Sequence, residues 1–170
     1  IGLMLMMLGK QFYGVDKIII VEPSESRRNM ALDLGADIVI DPTVQDPVAM
    51  VMNTTDNQGA QAIFTACPVI ETHKQAIKMV AKRGVVNFFG GVPKDEPEIS
   101  LLSNFIHYRE AYITGSHGST PEQHKTALNL IANKSVDISS LVSESVPLSD
   151  IMRGFELAAS GKLAKVMVTP

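Results

Sequence analysis

The sequence predicts an α/β fold, specifically a doubly wound parallel β-sheet. Runs that are apolar throughout and rich in β-branched residues, such as KIIIV at residues 17–21, alternate with runs of helical length and periodicity. Apolar strands of this kind are typical of parallel sheets, because helices cover both of their faces. Strand and helix alternate at the spacing of βαβ units along most of the 170 residues, which indicates a doubly wound arrangement.

Seven strands follow from the short apolar runs. The run at residues 60–66 reads AQAIFTA, and the run at residues 85–89 reads VVNFF and ends directly in two glycines. The predicted strands are residues 17–21, 37–40, 60–66, 85–89, 111–115, 141–146 and 165–168.

Seven helices are predicted around these strands, and capping residues mark most of their ends. Ser24, Thr120 and Ser149 are N-cap candidates, because a hydroxyl there accepts a hydrogen bond from a free N–H of the first turn. Gly35 and Gly84 follow helices at the position that favours glycine. The first helix is apolar on nearly all sides, so we expect it to be buried. The predicted helices are residues 3–11, 24–34, 47–53, 70–82, 100–106, 121–134 and 149–159.

Composition narrows the classes of function. Lys and Arg number 15 against 18 Asp and Glu, and this mildly acidic chain has no basic run that would hold nucleic acid or anionic lipid. The longest apolar stretch, residues 1–8, is far shorter than the roughly 18 residues of a membrane span, and no basic segment precedes it as in a signal peptide. The single cysteine, Cys67, excludes a disulfide framework and agrees with a cytoplasmic protein.

The chain begins at Ile1, inside an apolar helical pattern. A free amino terminus needs solvent, and proteins rarely begin in the middle of such an element. We therefore expect the sequence to be part of a longer chain.

Glu22 directly follows a predicted strand, at the edge where doubly wound sheets bind ligands. A carboxylate there accepts hydrogen bonds from the hydroxyls of an adenosine ribose and repels a 2′-phosphate. It lies about 20 residues after Gly2, the spacing that separates the last glycine of a dinucleotide-binding turn from the ribose acid. Two plainer interpretations stay open: Glu22 as a solvated residue before Pro23, and Gly2 as a simple helix start.

Two further strand ends carry small residues that suit a ligand. Gly90 and Gly91 let a ligand approach the backbone, whose donors and acceptors suit a nicotinamide carboxamide. A glycine turn before Pro93 is an equally good interpretation. Ala66 and Cys67 end their strand at the same edge and are suited to lining a pocket floor. Cys67 has no His or Asp near it in the sequence, so an inert thiol is favoured over a nucleophile.

The histidines do not predict a metal site. None of the four has metal-ligand spacing with another histidine or with the cysteine. His117 stands in the loop GSHGS at residues 115–119 and is the one best placed to face a cofactor. His73, His107 and His124 are interpreted as ordinary core or surface residues.

Four segments, taken in order, carry a family resemblance. Residues 1–2 are similar to the end of a G-x-G-P-I-G turn. Residues 21–37, VEPSESRRNMALDLGAD, are similar to a segment that contains an acidic residue, an arginine and the motif "lGAd". KQAIKMVAKRGVVNFFGG at 74–91 and the last 26 residues, 145–170, are similar to two later segments of the same family. Along its whole length the chain thus resembles the nucleotide-binding half of the zinc-dependent alcohol and polyol dehydrogenases of the medium-chain dehydrogenase/reductase superfamily. Sorbitol (iditol) and threonine dehydrogenases are the most similar members.

The resemblance implies a Rossmann fold that binds NAD. Glu22 would bind the adenosine ribose, and Arg27 would lie along the adenine or its ribose, a role that suits a planar guanidinium. Gly118 stands where polyol dehydrogenases often carry arginine, which leaves the substrate class open. The other implied cofactor contacts are Ile1, Gly2, Phe89, Gly90, Gly91, His117, Gly118 and Ser119.

The implied reaction is hydride transfer between a secondary alcohol (a sugar alcohol or similar) and NAD, with zinc polarising the alcohol oxygen. Residues 1–170 would form the Rossmann domain, with the family's C-terminal segment from about residue 140. The zinc ligands would belong to an N-terminal domain absent from this chain, so we expect the fragment alone to be inactive. Family members dimerise through the strand near Ala111 and Gly115, which implies a homodimer or homotetramer.

The same resemblance has a consequence for the sheet. In the strand order 3-2-1-4-5-6 the first strand is central, and it would lie upstream of Ile1. The sheet in this chain is therefore expected to lack its first strand. We expect the two strands on either side of that position not to pair directly.

Three alternative functions remain open besides that of a zinc-dependent dehydrogenase. A zinc-free quinone or enoyl reductase of the same superfamily would use NADPH, and Glu22 argues against that. A methyltransferase also places an acid after its second strand, but the closing segment disagrees. A non-catalytic nucleotide-binding domain fits as well as an enzyme half, because the reacting groups would lie outside this chain.

Overall fold

The computed structural model describes all 170 residues, and helices and strands alternate along the chain. The strands are β1 (Ile19–Val21), β2 (Ile38–Ile40), β3 (Ala60–Phe64), β4 (Val80–Phe88), β5 (Tyr112–Gly115), β6 (Val142–Pro147) and β7 (Lys165–Thr169). The α-helices are α1 (Gly2–Met7), α2 (Glu25–Asp33), α3 (Pro47–Thr54), α4 (Ile70–Met79), α5 (Ser103–Arg109), α6 (Pro121–Ala132) and α7 (Ile151–Ala159). None of these helices has the length and apolar composition needed to cross a membrane.

The strands form three sheets, and every pairing in them is parallel. β1 pairs with β2, β6 pairs with β7, and β3, β4 and β5 form a three-stranded sheet with β4 in the middle. The prediction of an α/β fold with parallel strands is therefore confirmed. β1 pairs only with β2, and β3 pairs only with β4. That the sheet lacks its first strand stays a prediction.

The chain divides into two compact units, which we describe separately. The central unit comprises Ile1–Gly2 and Pro42–Ser119, and it holds the three-stranded sheet with α3, α4 and α5. The flanking unit comprises Leu3–Asp41 and Thr120–Pro170, and it holds the two-stranded sheets with α2, α6 and α7. That residues 1–170 form one Rossmann domain stays a prediction.

The core of the central unit lies between α4 and the three-stranded sheet. Ala76 and Ile77 on α4 pack with Val80 and Val86 on β4, and each of the four is at most 1 % exposed. Histidine 73 lies one helical turn before Ala76 and Ile77, at the i+3 and i+4 spacing that places side chains on one helix face. The sheet-facing side of α4 thus carries one imidazole among aliphatic side chains.

The core of the flanking unit is built around the first helix. Met6 and Met7 are 3 % and 1 % exposed and pack with Ala31 of α2 and with Leu141. The expected burial of the first helix is thus correct for only two of its residues. The remainder is half-buried or exposed, and the α-helical pattern ends at Met7, where a π-helix, Leu8–Phe12, continues the chain.

The start of β4 differs from the prediction. The sequence indicated a helix through residue 82, stopped by Gly84, and a strand from residue 85, whereas α4 ends at Met79 and β4 begins at Val80. The register shifts between the pairs Ala60–Val80 and Ala62–Val85, so β4 carries a bulge. Arg83 has a φ of +59°, the left-handed conformation that bulges often contain. Gly84 therefore serves the bulge and does not end the helix.

Smaller differences concern burial and capping. Leu128 on α6 is 66 % exposed, so this apolar side chain does not belong to the core. The predicted cap of α6 is confirmed, because Thr120 forms a capping box with Gln123. The predicted cap of α2 is not, because Ser24 makes no side-chain hydrogen bond to the helix N-terminus. Ser149 lies in a short 3₁₀ turn, and the N-cap of α7 is Asp150.

Candidate functional site

Three predicted site segments follow the three parallel strands of the central unit. Ala66 and Cys67 come after β3, Phe89–Gly91 after β4, and the loop with His117, Gly118 and Ser119 after β5. Because the three strands are parallel neighbours, their carboxyl ends lie at one edge of the sheet. Open α/β sheets bind ligands at this edge.

The turns after β3 and β4 are in direct contact. Gly90 N donates a hydrogen bond of 2.6 Å to Thr65 O. A Cβ added to Gly90 would lie 2.8–2.9 Å from the backbone of Cys67, closer than real Cβ atoms approach backbone. Only glycine fits at this position. By contrast, a Cβ added to Gly91 would meet nothing within 4 Å, so Gly91 leaves the backbone open to solvent.

His73 lies behind these two turns, and our sequence interpretation gave it no site role. It is 3 % exposed, its Nε2 is 3.1 Å from Thr65 Oγ1, and its ring stacks on Phe88 with a centroid distance of 4.3 Å. Burial lowers the pKa of His73 from its ordinary value of 6.5, and a backbone hydrogen bond with Gly90 partly opposes this. Its spacing from Ala76 and Ile77 was the sequence signal for a buried position.

His73 also borders an open cavity of about 280 Å³ at this edge of the sheet. Phe88, Gly90, Gly91 and Ile99 contribute to its walls, and no charged side chain lines it. The cavity therefore offers apolar surface together with the backbone of the glycine turn.

The loop after β5 is exposed. His117, Gly118 and Ser119 are all exposed, and Gly118 has a φ of +68° with open space around its Cα. Ser116 links this loop to β4, because its hydroxyl exchanges hydrogen bonds of 2.9 and 3.2 Å with the side-chain amide of Asn87.

Ile1 and Gly2 belong to the same unit. Ile1 is 63 % exposed, and Gly2 opens α1. A Cβ added to Gly2 would lie 3.8 Å from Ala66 Cβ, an ordinary contact. The structure therefore places Gly2 beside Ala66, at the end of β3.

Cys67 is half-buried and forms no disulfide. Its Sγ is 3.4 Å from Thr72 Oγ1, and neither a histidine nor a carboxylate is hydrogen-bonded to it. The geometry agrees with an inert thiol.

The remaining predicted residues, Glu22 and Arg27, belong to the flanking unit. Glu22 is half-buried at the carboxyl end of β1, and its Oε1 accepts a 2.9 Å hydrogen bond from Ser24 N. That bond fixes the carboxylate and leaves it capacity for further donors, since an ionised carboxylate has about four acceptor positions. Arg27 is exposed and donates to Gly161 O at 3.1 Å.

Arg28, the neighbour of Arg27, holds the two strand ends of this unit together. Its guanidinium donates to the carbonyls of Glu22 and Pro23 at 2.8 and 2.7 Å and forms a 2.8 Å ion pair with Asp41, which follows β2. Arg28 and Asp41 are only 15 % and 21 % exposed. No feature of the sequence distinguishes Arg28 from Arg27 for this structural role.

A sequence model of one family, described as zinc-binding dehydrogenase, matches residues 1–133. That segment is most of the chain and contains every predicted site residue. The chain belongs to the zinc-binding dehydrogenase family. The resemblance inferred from the four sequence segments is therefore confirmed.

Similar proteins of this family include two named dehydrogenases. L-threonine 3-dehydrogenase of Thermococcus kodakarensis is 29 % identical over 160 residues, which is 92 % of this chain and 45 % of that protein. Sorbitol dehydrogenase of Halalkalibacterium halodurans is 27 % identical over 170 residues, which is 100 % of this chain and 49 % of that protein. This zinc-binding dehydrogenase chain thus spans about half the length of the curated relatives it matches.

A solved structure shows the same fold. A protein of Sinorhizobium meliloti 1021, described as a zinc-binding dehydrogenase and determined with bound NADP, superposes with a TM-score of 0.88 at 24 % identity. The alignment covers 99 % of this chain and 49 % of that one. The likeness confirms the dehydrogenase-type α/β fold.

The residues of this zinc-binding dehydrogenase chain do not fit a zinc site. Across all 170 residues, no three His, Cys, Asp or Glu side chains lie together in a group that could hold a metal ion. Zinc requires about four such ligands in tetrahedral geometry, three of them from the protein in catalytic sites. No chemical step is therefore assigned to zinc on this chain.

Proposed function

We propose that this chain is the NAD-binding part of an oxidoreductase that transfers a hydride between a secondary alcohol and NAD. Family membership supports the dehydrogenase class, and the two relatives named above are dehydrogenases of threonine and of sorbitol. The proposed substrate class is a sugar alcohol or a similar secondary alcohol. Zinc is proposed to be held by residues outside this chain, because the residues present do not form a ligand set.

The observation that carries the proposal is the carboxylate of Glu22 at the end of β1. One oxygen is fixed by Ser24 N, and the group can still accept hydrogen bonds from the two hydroxyls of an adenosine ribose. The same negative charge opposes a 2′-phosphate at that place. Glu22 therefore favours NAD over NADP, in contrast to the NADP found in the Sinorhizobium protein.

The nicotinamide half of the cofactor is proposed to bind at the carboxyl edge of the three-stranded sheet. The backbone of Phe89, Gly90 and Gly91 supplies donors and acceptors for the carboxamide, and Ala66 and Cys67 form the floor. His117, Gly118 and Ser119 would close the side of the ring. Ile1 and Gly2 would contact the cofactor beside Ala66, and Arg27 would lie along the adenosine.

We propose that this chain binds the cofactor and that other residues of the protein activate the alcohol. NAD accepts the hydride on its nicotinamide ring, while this chain binds and orients the cofactor. The groups that activate the alcohol would lie in the rest of the protein. Residues 1–170 alone are thus proposed to bind NAD without turnover.

The test compares the affinities for NADH and NADPH of the full-length wild-type protein and of its Glu22→Ala variant. We expect the wild type to bind NADH more tightly than NADPH. Glu22→Ala should weaken NADH binding about 10- to 100-fold, since hydrogen bonds to a charged group are lost, while NADPH binding changes little or improves. Calorimetric titration of both nucleotides measures this.

Glu25→Ala is the matched control, because Glu25 is an exposed acid in the first turn of α2. It should leave both affinities within about twofold. Tighter binding of NADPH than of NADH by the wild type, or an unchanged NADH affinity in Glu22→Ala, would refute the assignment of NAD to Glu22.

The proposed partners are the alcohol substrate and further copies of the same protein. β5 pairs only with β4 and is the edge of its sheet, and Tyr112 on it is 63 % exposed. A homodimer or homotetramer joined through this edge, near Ala111 and Gly115, would hide the free backbone groups. Sedimentation of the full-length protein tests this, and a monomer would contradict it. The proposed compartment is the cytoplasm.

A further inference from the structure

His73 is a buried titratable side chain that the proposed function has not used. It projects from α4, outside every segment assigned to the cofactor, yet it lies next to two of them. Its Nε2 is 3.1 Å from Thr65 Oγ1, at the end of β3, and its ring lines the same cavity as Gly90, after β4. Thr65 itself is only 5 % exposed.

The hydrogen-bonding groups around the ring match a neutral imidazole. A neutral imidazole has one N–H donor and one bare nitrogen that accepts. Nε2 lies 3.1 Å from Thr65 Oγ1 and can accept from that hydroxyl. The N–H of the neutral ring is then on Nδ1. Phe88 stacks on the ring at an interplanar angle of 13°, which fixes its plane.

The Gly90 turn is held against the end of β3. Gly90 N bonds to Thr65 O, and the missing side chain of Gly90 allows the turn to pack on the Cys67 backbone. His73 lies beside this turn, because its ring stacks on Phe88 and lines the same cavity as Gly90. On its far side the turn continues into Gly91, around which a Cβ would meet open space.

We propose that His73 is a positioning residue for cofactor binding, which fixes the turn after β4 against the end of β3 so that the backbone of Phe89–Gly91 is preset for the nicotinamide. This inference rests on the proposed NAD-binding function. It goes further by assigning a role to an inward-facing residue of α4 that lies outside the segments proposed to bind the cofactor. The low pKa of the buried ring is consistent with a neutral imidazole at neutral pH.

If His73 had a purely structural role, its replacement would affect ligand affinities differently. If His73 only filled the core, its replacement would lower stability and weaken every ligand alike or none. If it positions the turn, the loss is confined to the half of the cofactor that the turn contacts. ADP-ribose contains the adenosine and both phosphates of NADH but no nicotinamide, so comparing the two ligands separates these roles.

The experiment measures Kd for NADH and for ADP-ribose in the full-length protein by calorimetric titration. His73→Leu removes the hydrogen bond between the ring and Thr65 and keeps an apolar side chain. We expect NADH to bind about tenfold more weakly to this variant, the loss typical of a buried hydrogen bond, and ADP-ribose to stay within about twofold. The fluorescence of bound NADH should also approach that of the free nucleotide.

A second pair of variants keeps the test valid if His73→Leu does not fold. Thr65→Val removes the hydroxyl that bonds to His73, and Thr65→Ser retains it. We expect Thr65→Val to weaken NADH but not ADP-ribose, and Thr65→Ser to restore wild-type affinity within about twofold. Ile77→Val is the control for core packing, because Ile77 is 1 % exposed on the same face of α4 without a polar contact to either turn. It should not change the ratio of the two affinities.

The outcomes separate this inference from the proposed function. A wild type that binds neither NADH nor ADP-ribose refutes both. A wild type that binds both, with His73→Leu or Thr65→Val weakening the two ligands equally or not at all, refutes the positioning role and leaves the proposed function intact. A selective loss of NADH affinity, with recovery in Thr65→Ser, supports the role.

Discussion

The two compact units arrange their predicted site residues by different physical means. In the flanking unit the predicted site residues Glu22 and Arg27 are charged. Glu22 is half-buried and held by one backbone N–H, and the adjacent Arg28 joins the strand ends through an ion pair with Asp41. In the central unit the corresponding segments are backbone and small residues, and His73 is the buried polar group behind them. A charge acts over several ångströms, whereas packed backbone tolerates almost no added volume.

The difference indicates what each site can discriminate. A carboxylate selects ligands by their charge, so its position need not be exact to reject a phosphate. A turn that presents backbone groups selects by shape and hydrogen-bond geometry, so its position must be fixed within a fraction of an ångström. The central unit should therefore be more sensitive to small changes in volume, and the flanking unit to changes in charge.

The largest effect is expected at Gly90, where a methyl group would lie within 3 Å of the Cys67 backbone. Gly90→Ala should cost about 2–3 kcal/mol of the free energy of unfolding, as overpacking does, and should weaken NADH binding more than about tenfold. Thermal unfolding and NADH titration of the full-length protein measure the two effects.

Gly91→Ala is the matched control for Gly90, since a Cβ there meets nothing within 4 Å and the residue has no positive φ. It should change stability by less than about 0.5 kcal/mol. Equal effects of the two alanines would contradict the contrast drawn between a packed and an open glycine.

An intermediate effect is expected in the flanking unit from the loss of Arg28. Arg28→Met removes two hydrogen bonds to carbonyls and the ion-pair partner of Asp41, which should lower stability by about 1–2 kcal/mol. Arg27→Met, its neighbour in sequence, removes one exposed hydrogen bond to Gly161 and should cost less than about 0.5 kcal/mol.

Thermal unfolding of the two arginine variants ranks them directly. If Arg27→Met proves the more destabilising, Arg28 is not the residue that joins β1 and β2. A weaker NADH affinity in a stable Arg27→Met protein would support the proposed contact of Arg27 with the adenosine.

The smallest effect is a pH dependence that should arise from the central unit. Burial lowers the pKa of His73 below its ordinary value of 6.5, so near this value the unfolded chain binds more protons than the folded one. Stability therefore rises with pH: the contribution of His73 is complete above about pH 6.5 and is lost as the pH falls toward the lower pKa of the folded state.

Unfolding midpoints at about pH 7.5 and 5.5 test this dependence. The wild type should be less stable at the lower pH, and His73→Gln should show a smaller difference. Asp37 and Asp137 do not interfere, because hydrogen bonds lower their pKa values below 3.8, so their contributions are lost only at more acid pH. An unchanged pH dependence in His73→Gln would show that another group titrates.

Much of the fold was predictable because local signals agree with it. The run KIIIV predicted β1, and the helix predicted at residues 47–53 is α3. The Asp46 carboxylate caps this helix by accepting from Val48 N. Strands that are apolar throughout predicted parallel pairing, and the strand ends gave the candidate ligand-binding residues. Each of these signals depends on neighbours within a few positions of the chain.

The sequence-based predictions fail where segments that are far apart in the chain come into contact. The bulge in β4 depends on pairing with β3, so the residues around Gly84 could not show that a strand had already begun. Likewise, the RR pair at 27–28 does not reveal which arginine reaches Asp41, because that depends on how α2 lies against β2.

The sequence by itself determined the α/β class, the parallel strands, the acid after β1 and the glycines after β4, because periodicity, β-branching and turn chemistry act between residues close in the chain. Only the tertiary structure decided that Gly90 packs on Cys67, that Arg28 and not Arg27 joins two strand ends, and that His73 links two turns. Those contacts connect residues on different elements, and their distances are set by the packing of helices on sheets, which no local pattern encodes.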